Sequence, residues 1–326
     1  MNLLADGHWV SGETIAKSFN ISRSGVWKRL QTLVAYGLHV ESVKGKGYRL
    51  AQPLDLMSVA AIRQALTVPA QRWIGQLELL FETPSTNRYL AENKLAAGSV
   101  CLAEYQSSGK GRRGRQWQSP LGANLMMSVA WSFAGGASAL EGLSLAVGVA
   151  VADALLALGF AGAQLKWPND IVCQQKKLGG ILIELSGDAS GDCDVVVGLG
   201  LNVAMSRFEL VGKAIDQPWT DLSQQGLEVS RSRLAAEVLN HVMPLLASYE
   251  RSGFAAYHER WMSLNAHHDQ LVSLRSAAQV VEGRCVGISS AGALLLETAA
   301  GRQAFSGGEV SLRLGASDQK RGGRHD

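Results

Sequence analysis

The stretch from Ala139 to Gly159, "ALEGLSLAVGVAVADALLALG", limits the fold more than any other segment. It has the length of several helical turns and is apolar on nearly every face. A helix with no polar side persists only where other elements surround it, so the chain has to build layers around this one. The neighbouring patterns suit that need. "LELLFET", "SVCLAEYQ" and "ANLMMSVAWSF" read as strands, and "GGILIEL" and "DVVVGLGLNV" as strands covered on both faces. "SVAAIRQAL", "STNRYLAENK" (capped by Ser85 or Thr86) and "RSRLAAEVLNHVMPLLASYERSG" read as helices. Residues 58–266 are therefore expected to form a mixed α/β domain around a β-sheet, within an α+β chain.

Smaller units flank this domain. In residues 1–52, Ser11 caps a short helix, "GETIAKSF", and Ser22 caps a second that carries Val26, Leu30, Leu33 and Val34 on one face. "HVESVKGKGYRL" follows as two strands around a Lys/Gly turn. This order is that of a winged helix-turn-helix. Ser22, Arg23, Ser24, Trp27 and Lys28 would face base edges, and Lys44 and Lys46 would meet phosphates. A helical protein-interaction unit with a solvated basic face is the alternative. The opening "MNLLADG" allows a first helix of about two turns at most. "AQPLDLMS" is the expected linker, with Pro53 opposing regular structure. Short Gly-punctuated strands in 267–314 predict a small β-barrel, and 315–326 read as a disordered tail.

Composition excludes several function classes. The chain's 326 residues allow two or three domains, and a net charge of +3 is too small for a general nucleic-acid coat, so any basic character is local. Cys101, Cys173, Cys193 and Cys285 stand far apart without metal-ligand spacing and read as reduced thiols. No signal peptide and no run near the roughly 18 apolar residues of a membrane span is visible, so a cytoplasmic protein without membrane contact is expected.

The local basic character is concentrated in "GKGRRGRQW", residues 109–117. Its glycines satisfy G-x-G-x-x-G, but "RQWQSPLGAN" follows with Pro120 and no helical period, whereas a dinucleotide site needs a helix to start there. No Gly-Lys pair is followed by Ser or Thr, so a P-loop is excluded too. A mobile cationic loop remains, suited to fold over a phosphate or carboxylate; a nucleic-acid patch is the competing reading. "LKWPND" adds Lys166, Asn169 and Asp170. "KKLGGILIE" sets Lys177 just ahead of a Gly-Gly strand start, and "GLGLNV" ends a small-residue strand at Asn202. Together these suggest a cation-rich, glycine-lined pocket.

Taken in order, "GKGRRGRQW", "GANL", "LKWPND", "KLGGILIE", "GLGLN" and "GGEVSL" resemble the signatures of bacterial biotin–protein ligases. The N-terminal unit resembles that of their bifunctional members, which also repress the biotin operon. The resemblance spans about residues 3 to 314 and departs at Lys110, where the family often has arginine; the charge is kept and the bidentate fork is lost. It implies a central domain with a class II synthetase-like sheet and an SH3-like C-terminal barrel. It also implies a reaction in which biotin and ATP form biotinyl-5′-AMP, with transfer to a lysine of the biotin carboxyl carrier protein of acetyl-CoA carboxylase. Arg112, Lys177 and Asp170 would be catalytic, and Ser85, Thr86, Asn87, Gln106, Lys110 and Gly111 would join Arg112 and Lys177 in holding biotin. Trp117, Lys166, Asn169, Asn202 and Trp219 would hold the adenylate, Asp170 would be the ligand of Mg²⁺, and an adenylate-bound homodimer would bind operator DNA. A ligand-sensing repressor with little catalysis, or a ligase for another acid such as lipoate, are the alternative functions.

Overall fold

The computed structural model describes residues 2–136, 140–186, 193–208, 215, 217–275, 280–306 and 311–314. The expected disordered tail, 315–326, lies outside the described residues, as do Ala139, where the apolar helix was expected to begin, and residues 307–310 of "GGEVSL".

The N-terminal unit has helices α1 (Asn2–Ala5), α2 (Gly12–Phe19) and α3 (Arg23–Ala35), then an antiparallel hairpin of β1 (Val40–Val43) and β2 (Gly47–Leu50). The capping serines act as expected: Thr14 N donates to Ser11 Oγ at 3.0 Å and Gly25 N to Ser22 Oγ at 3.2 Å. Leu4, Ile15, Val26, Leu30, Leu38 and Leu50 form the core, which continues into Leu54 of the linker and Leu121 of the central domain. Val34, expected on the buried face, is exposed instead, because the last turn of α3 runs past this small core.

The central domain carries α4 (Val59–Ala65), α5 (Val68–Gln71), β3 (Leu77–Thr83), α6 (Thr86–Glu92), β4 (Val100–Gln106) and β5 (Asn124–Phe133). After these come α7 (Leu143–Ala157), β6 (Gln164–Lys166), β7 (Asp170–Cys173), β8 (Lys176–Ser186), β9 (Cys193–Asn202), α8 (Arg231–Ser252) and α9 (His258–Leu264). The seven strands form one mixed sheet in the order β3-β4-β5-β9-β8-β7-β6, with only β3 and β4 parallel. The period-2 alternation of strands separates the two faces. Leu125, Met127 and Val129 of β5 and Val195, Val197 and Leu199 of β9 share a core with α7 and α8. Ala130 and Val196 pack with Leu90 of α6 on the other face. The all-apolar helix is thus enclosed, as its sequence requires, between the sheet, α8 and α9.

Lys177 lies inside β8 rather than ahead of it. Gln174 and Gln175 both adopt left-handed φ (49° and 62°), so a two-residue turn returns the chain at once and pairing with β7 begins at Lys176. The C-terminal segment forms a five-stranded antiparallel sheet of β10 (Leu271–Arg275), β11 (Val280–Ile288), β12 (Leu294–Thr298), β13 (Gly301–Phe305) and β14 (Ser311–Leu314), in the order β13-β12-β11-β10-β14. Val272, Leu274, Cys285, Leu294 and Leu296 extend the core of the central domain. Among the described residues no helix is long and apolar enough to cross a membrane.

Candidate functional site

The face of the sheet opposite α7 and α8 carries a cavity of about 680 Å³, within the range of small-molecule sites. Its first wall is polar and pre-formed. Ser85 caps α6 by accepting from Arg88 N at 3.5 Å, which sets Thr86 and Asn87 in the first turn, over the sheet. Gln106 Oε1, at the end of β4, accepts from Thr86 N at 2.8 Å and from Thr86 Oγ1 at 3.1 Å. Ser128 Oγ lies 2.6 Å from both Thr86 Oγ1 and Asn87 Oδ1, and Asn87 Nδ2 donates to Glu184 at 2.7 Å. Glycine at 198 is what admits Asn87: a Cβ there would stand 2.2 Å from Asn87 Oδ1. The network leaves hydroxyl and amide groups facing the cavity in fixed orientations.

The cationic loop closes a second side as a tight hairpin. Lys110 pairs with Gln116, Gly111 N donates to Arg115 O at 2.7 Å, and Trp117 N donates to Gly109 O at 2.8 Å. Arg113 at its tip is left-handed (φ 59°). The Trp117 indole packs against Gly200, where a Cβ would approach the ring to 2.7 Å, and its buried Nε1–H has no partner among the described residues. Arg112 reaches across to donate to Asn169 Oδ1 at 3.2 Å. Burial, reinforced by Arg113, pushes the Arg112 guanidinium below its ordinary pKa, and Asp170 opposes that shift.

The floor is the β6–β7 hairpin and the start of β8. The cis Trp167–Pro168 bond turns the chain, and Trp167 Nε1 donates to Gly292 O at 3.0 Å, tying the hairpin to the C-terminal sheet. Asn169 is fixed by its backbone and side chain to Ile181, at 2.9 and 2.6 Å. Lys177 Nζ lies 2.7 Å from Asp170 Oδ1 and 5.7 Å from the centre of the Trp117 ring. The backbone of Lys177 also bridges to Pro218 and Thr220, so Trp219 is held beside it. Asn202 Nδ2 donates to Thr220 O at 3.0 Å and closes that corner. Seven Lys or Arg side chains line the cavity against two carboxylates, Asp170 and Glu282, a balance that favours an anionic ligand.

Every biotin and adenylate candidate therefore borders one cavity: Ser85, Thr86, Asn87, Gln106, Lys110, Gly111, Arg112, Trp117, Lys166, Asn169, Asp170, Lys177, Asn202 and Trp219. The sequence reading missed Ser128 and Glu184, which orient Asn87. Ser128 had a signal, as a hydroxyl in the middle of the apolar run of β5. His267, buried in the cavity wall, was also missed. The DNA candidates stand elsewhere. Arg23, Ser24, Trp27 and Lys28 are exposed on α3, Trp27 at 60 %, with Ser22 as its cap, and Lys44 and Lys46 are exposed in the β1–β2 turn.

The chain is 38 % identical over 315 residues to the bifunctional ligase/repressor BirA of Salmonella typhimurium, an alignment covering 96 % of each chain. It belongs to the biotin protein ligase family. The Escherichia coli bifunctional ligase/repressor BirA is likewise 38 % identical over 95 % of each chain. The pattern of the biotin/lipoate A/B protein ligase family matches residues 80–202, an HTH domain matches 1–49, and the biotin protein ligase C-terminal domain matches 267–313. Among solved structures, the biotin protein ligase of Aquifex aeolicus in complex with biotin and ATP superposes with a TM-score of 0.65 at 28 % identity, covering 74 % of this chain and all of that one.

Proposed function

We propose that the chain joins biotin to ATP, giving biotinyl-5′-AMP and pyrophosphate, and then transfers biotin to a lysine of a biotin carboxyl carrier protein. One observation carries this reading: in a member of the biotin protein ligase family, Arg112, Lys177 and Asp170 converge beside the Thr86–Asn87–Gln106–Ser128 wall. A carboxylate and a triphosphate repel each other, so cations must bring them together. Thr86, Asn87 and Gln106 hold the urea-like head of biotin, while the hydrocarbon chain an alternative acid such as lipoate presents would leave such groups unpaired. Trp117 walls the pocket and Trp219 packs on the adenine.

With Lys177 and Arg112 on its flanks, the biotin carboxylate oxygen attacks the α-phosphorus and the bond to pyrophosphate breaks. The acceptor amine then attacks the biotinyl carbonyl and AMP leaves. The hairpin of residues 109–117 covers the mixed anhydride and keeps water from it. Magnesium, when bound, would supply charge neutralisation on the phosphates. Asp170, with Asn169 beside it in the cavity wall, would be the protein carboxylate that holds it.

Residues 1–52 act as the DNA-binding half, with Arg23, Ser24, Trp27, Lys28, Lys44 and Lys46 on the operator of biotin synthesis genes when the adenylate-bound protein dimerises. The protein then works among cytoplasmic carriers and DNA. Incubation with labelled biotin, ATP, Mg²⁺ and a carrier domain tests the ligase: label on the carrier supports it, and none refutes it. Operator binding that is indifferent to biotin and ATP refutes the adenylate-dependent repressor.

A further inference from the structure

Glu184 stands at the edge of the cavity. Alternate side chains of a strand share a face, so on β8 Gly180 and Leu182, which line the cavity, are followed by Glu184. Its carboxylate accepts from Asn87 Nδ2 at 2.7 Å, and Leu182 O accepts from the same nitrogen at 3.3 Å. Two acceptors on one side leave the amide a single orientation, with nitrogen toward β8 and Oδ1 toward Ser128.

The hydroxyl protons then follow by count. Ser128 and Thr86 have one each, and Ser128 Oγ is 2.6 Å from both Asn87 Oδ1 and Thr86 Oγ1. An amide oxygen has no proton to give, so the Ser128 proton lies on the bond to Asn87. The equally short contact with Thr86 then takes the Thr86 proton, because two oxygens that close repel without a hydrogen between them. The longer contact from Thr86 Oγ1 to Gln106 Oε1, at 3.1 Å, keeps only a weak share of that proton. Thr86, Ser128, Asn87 and Glu184 thus form one chain of hydrogen bonds whose donors all point toward β8. At its cavity end, Thr86 Oγ1 and the Oε1 of half-buried Gln106 have lone pairs to spare and no proton to offer. Such an end accepts an N–H and rejects an oxygen.

We propose that Glu184 is a positioning residue for biotin selection: through Asn87 and Ser128 it turns the protons of the wall away from the cavity, so that Thr86 and Gln106 receive a ureido N–H of the vitamin. This rests on the ligase reading of the cavity. The test is biotin-dependent ATP–pyrophosphate exchange by the full chain with Glu184→Met, which keeps the length and removes the acceptor, and Glu184→Gln, which keeps an acceptor oxygen. Biotin is compared with the two cyclic carbamates in which a ring oxygen replaces one or the other ureido N–H. A net hydrogen bond corresponds to about a 3- to 10-fold change. Wild type should bind one carbamate more weakly than biotin by at least that factor. The Met variant should raise the KM for biotin by about the same factor and lose much of the preference over that carbamate, since freed hydroxyls can donate to its oxygen. Its KM for ATP and its melt should stay close to wild type, and the Gln variant should keep both the affinity and the preference.

Ser128→Ala cuts the chain at its middle and should reproduce the Met variant, which it replaces as the test should that variant not fold. The double variant should be no worse than the worse single one, as expected for members of one network. An unchanged KM for biotin or an unchanged preference in the folded Met variant overturns the proposal. So does an equal rise for biotin and ATP, a Gln variant as impaired as Met, or additive losses in the double variant. Absence of exchange in the wild type overturns the ligase reading instead.

Discussion

Arg231 and Glu104 meet at 2.5 Å beneath the linker; Lys177 and Asp170 meet at 2.7 Å in the cavity wall. The first pair is sealed, its side chains 1 % and 5 % exposed, and the second is 19 % and 18 % exposed. Their surroundings differ more than their distances. The Arg231 guanidinium also donates to Asn124 O at 3.1 Å and, through two of its nitrogens, to Asp55 O; Glu104 accepts from Met57 N at 2.6 Å. Each group of that pair has further protein partners, and the result ties linker, sheet and α8 together. Lys177 gives one of three ammonium donors to Asp170 and turns toward a cavity lined by other cations. One pair is enclosed by the fold, and the other borders the cavity with its charge partly open to it.

Removing Arg231 should have the largest effect. Arg231→Ala leaves Glu104 as a buried, unpaired carboxylate and frees the linker, which should lower stability by about 3–5 kcal/mol in denaturant melts. A loss below about 1 kcal/mol would show that Glu104 finds water, and that the sealed pair is no more structural than the open one. Lys177→Met should show the opposite division. Loss of a preorganised donor should reduce kcat/KM for adenylate formation by about 10²–10³, with little change in the melt. Equal destabilisation by the two variants would end the distinction.

His267 sharpens the contrast with a buried group that stays neutral. Its folded pKa is about 4, against 6.5 for the free side chain, through burial first and Lys166 second. Above pH 6.5 neither folded nor unfolded chain holds the proton, so this residue contributes no pH dependence. As pH falls from about 6.5 toward 4 the unfolded chain takes up a proton that the folded chain refuses, and stability falls by about 3 kcal/mol before levelling off. Melts of wild type and His267→Phe across pH 4–7 should diverge on the acid side by that amount. Parallel curves would mean that the imidazole is protonated in the folded state.

These contrasts mark what the sequence could reveal. Periodicity located the elements well: the all-apolar helix, the capping serines at 11, 22 and 85, and the strand runs all appear where their patterns set them. Local chemistry also gathered the cavity residues, since each sits in a glycine-rich or turn motif that the fold brings to one face. Pairings across long separations were not legible. Glu104 reads as one polar residue in a strand and Arg231 as a helix-start cation; nothing in the sequence announces a contact across a separation of 127. Lys177 was misplaced relative to its strand because two left-handed glutamines make a turn that ordinary turn residues would have advertised.

The contact between the DNA-binding unit and the sheet should give the smallest effect. Tyr36, at the end of α3, donates to Glu82 at 2.5 Å and meets the rings of Tyr105 and Phe81 edge-on at 5.1 and 5.8 Å. The carboxylate as acceptor, with burial second, raises the Tyr36 phenol to about 12, so it remains a donor at any working pH. Glu82 is exposed, and water can replace the phenol when it is removed. Tyr36→Phe should therefore lower stability by only about 0.5–1.5 kcal/mol, with the ring contacts kept. Tyr36→Ala removes those contacts too, adding about 0.5–1.5 kcal/mol for each aromatic pair beyond the lost apolar burial. Melts of the two variants separate hydroxyl from ring. If Phe is as damaging as Ala, the exposed phenol–carboxylate bond governs how the unit is seated, and an interface bond in solvent would rank beside the sealed arginine.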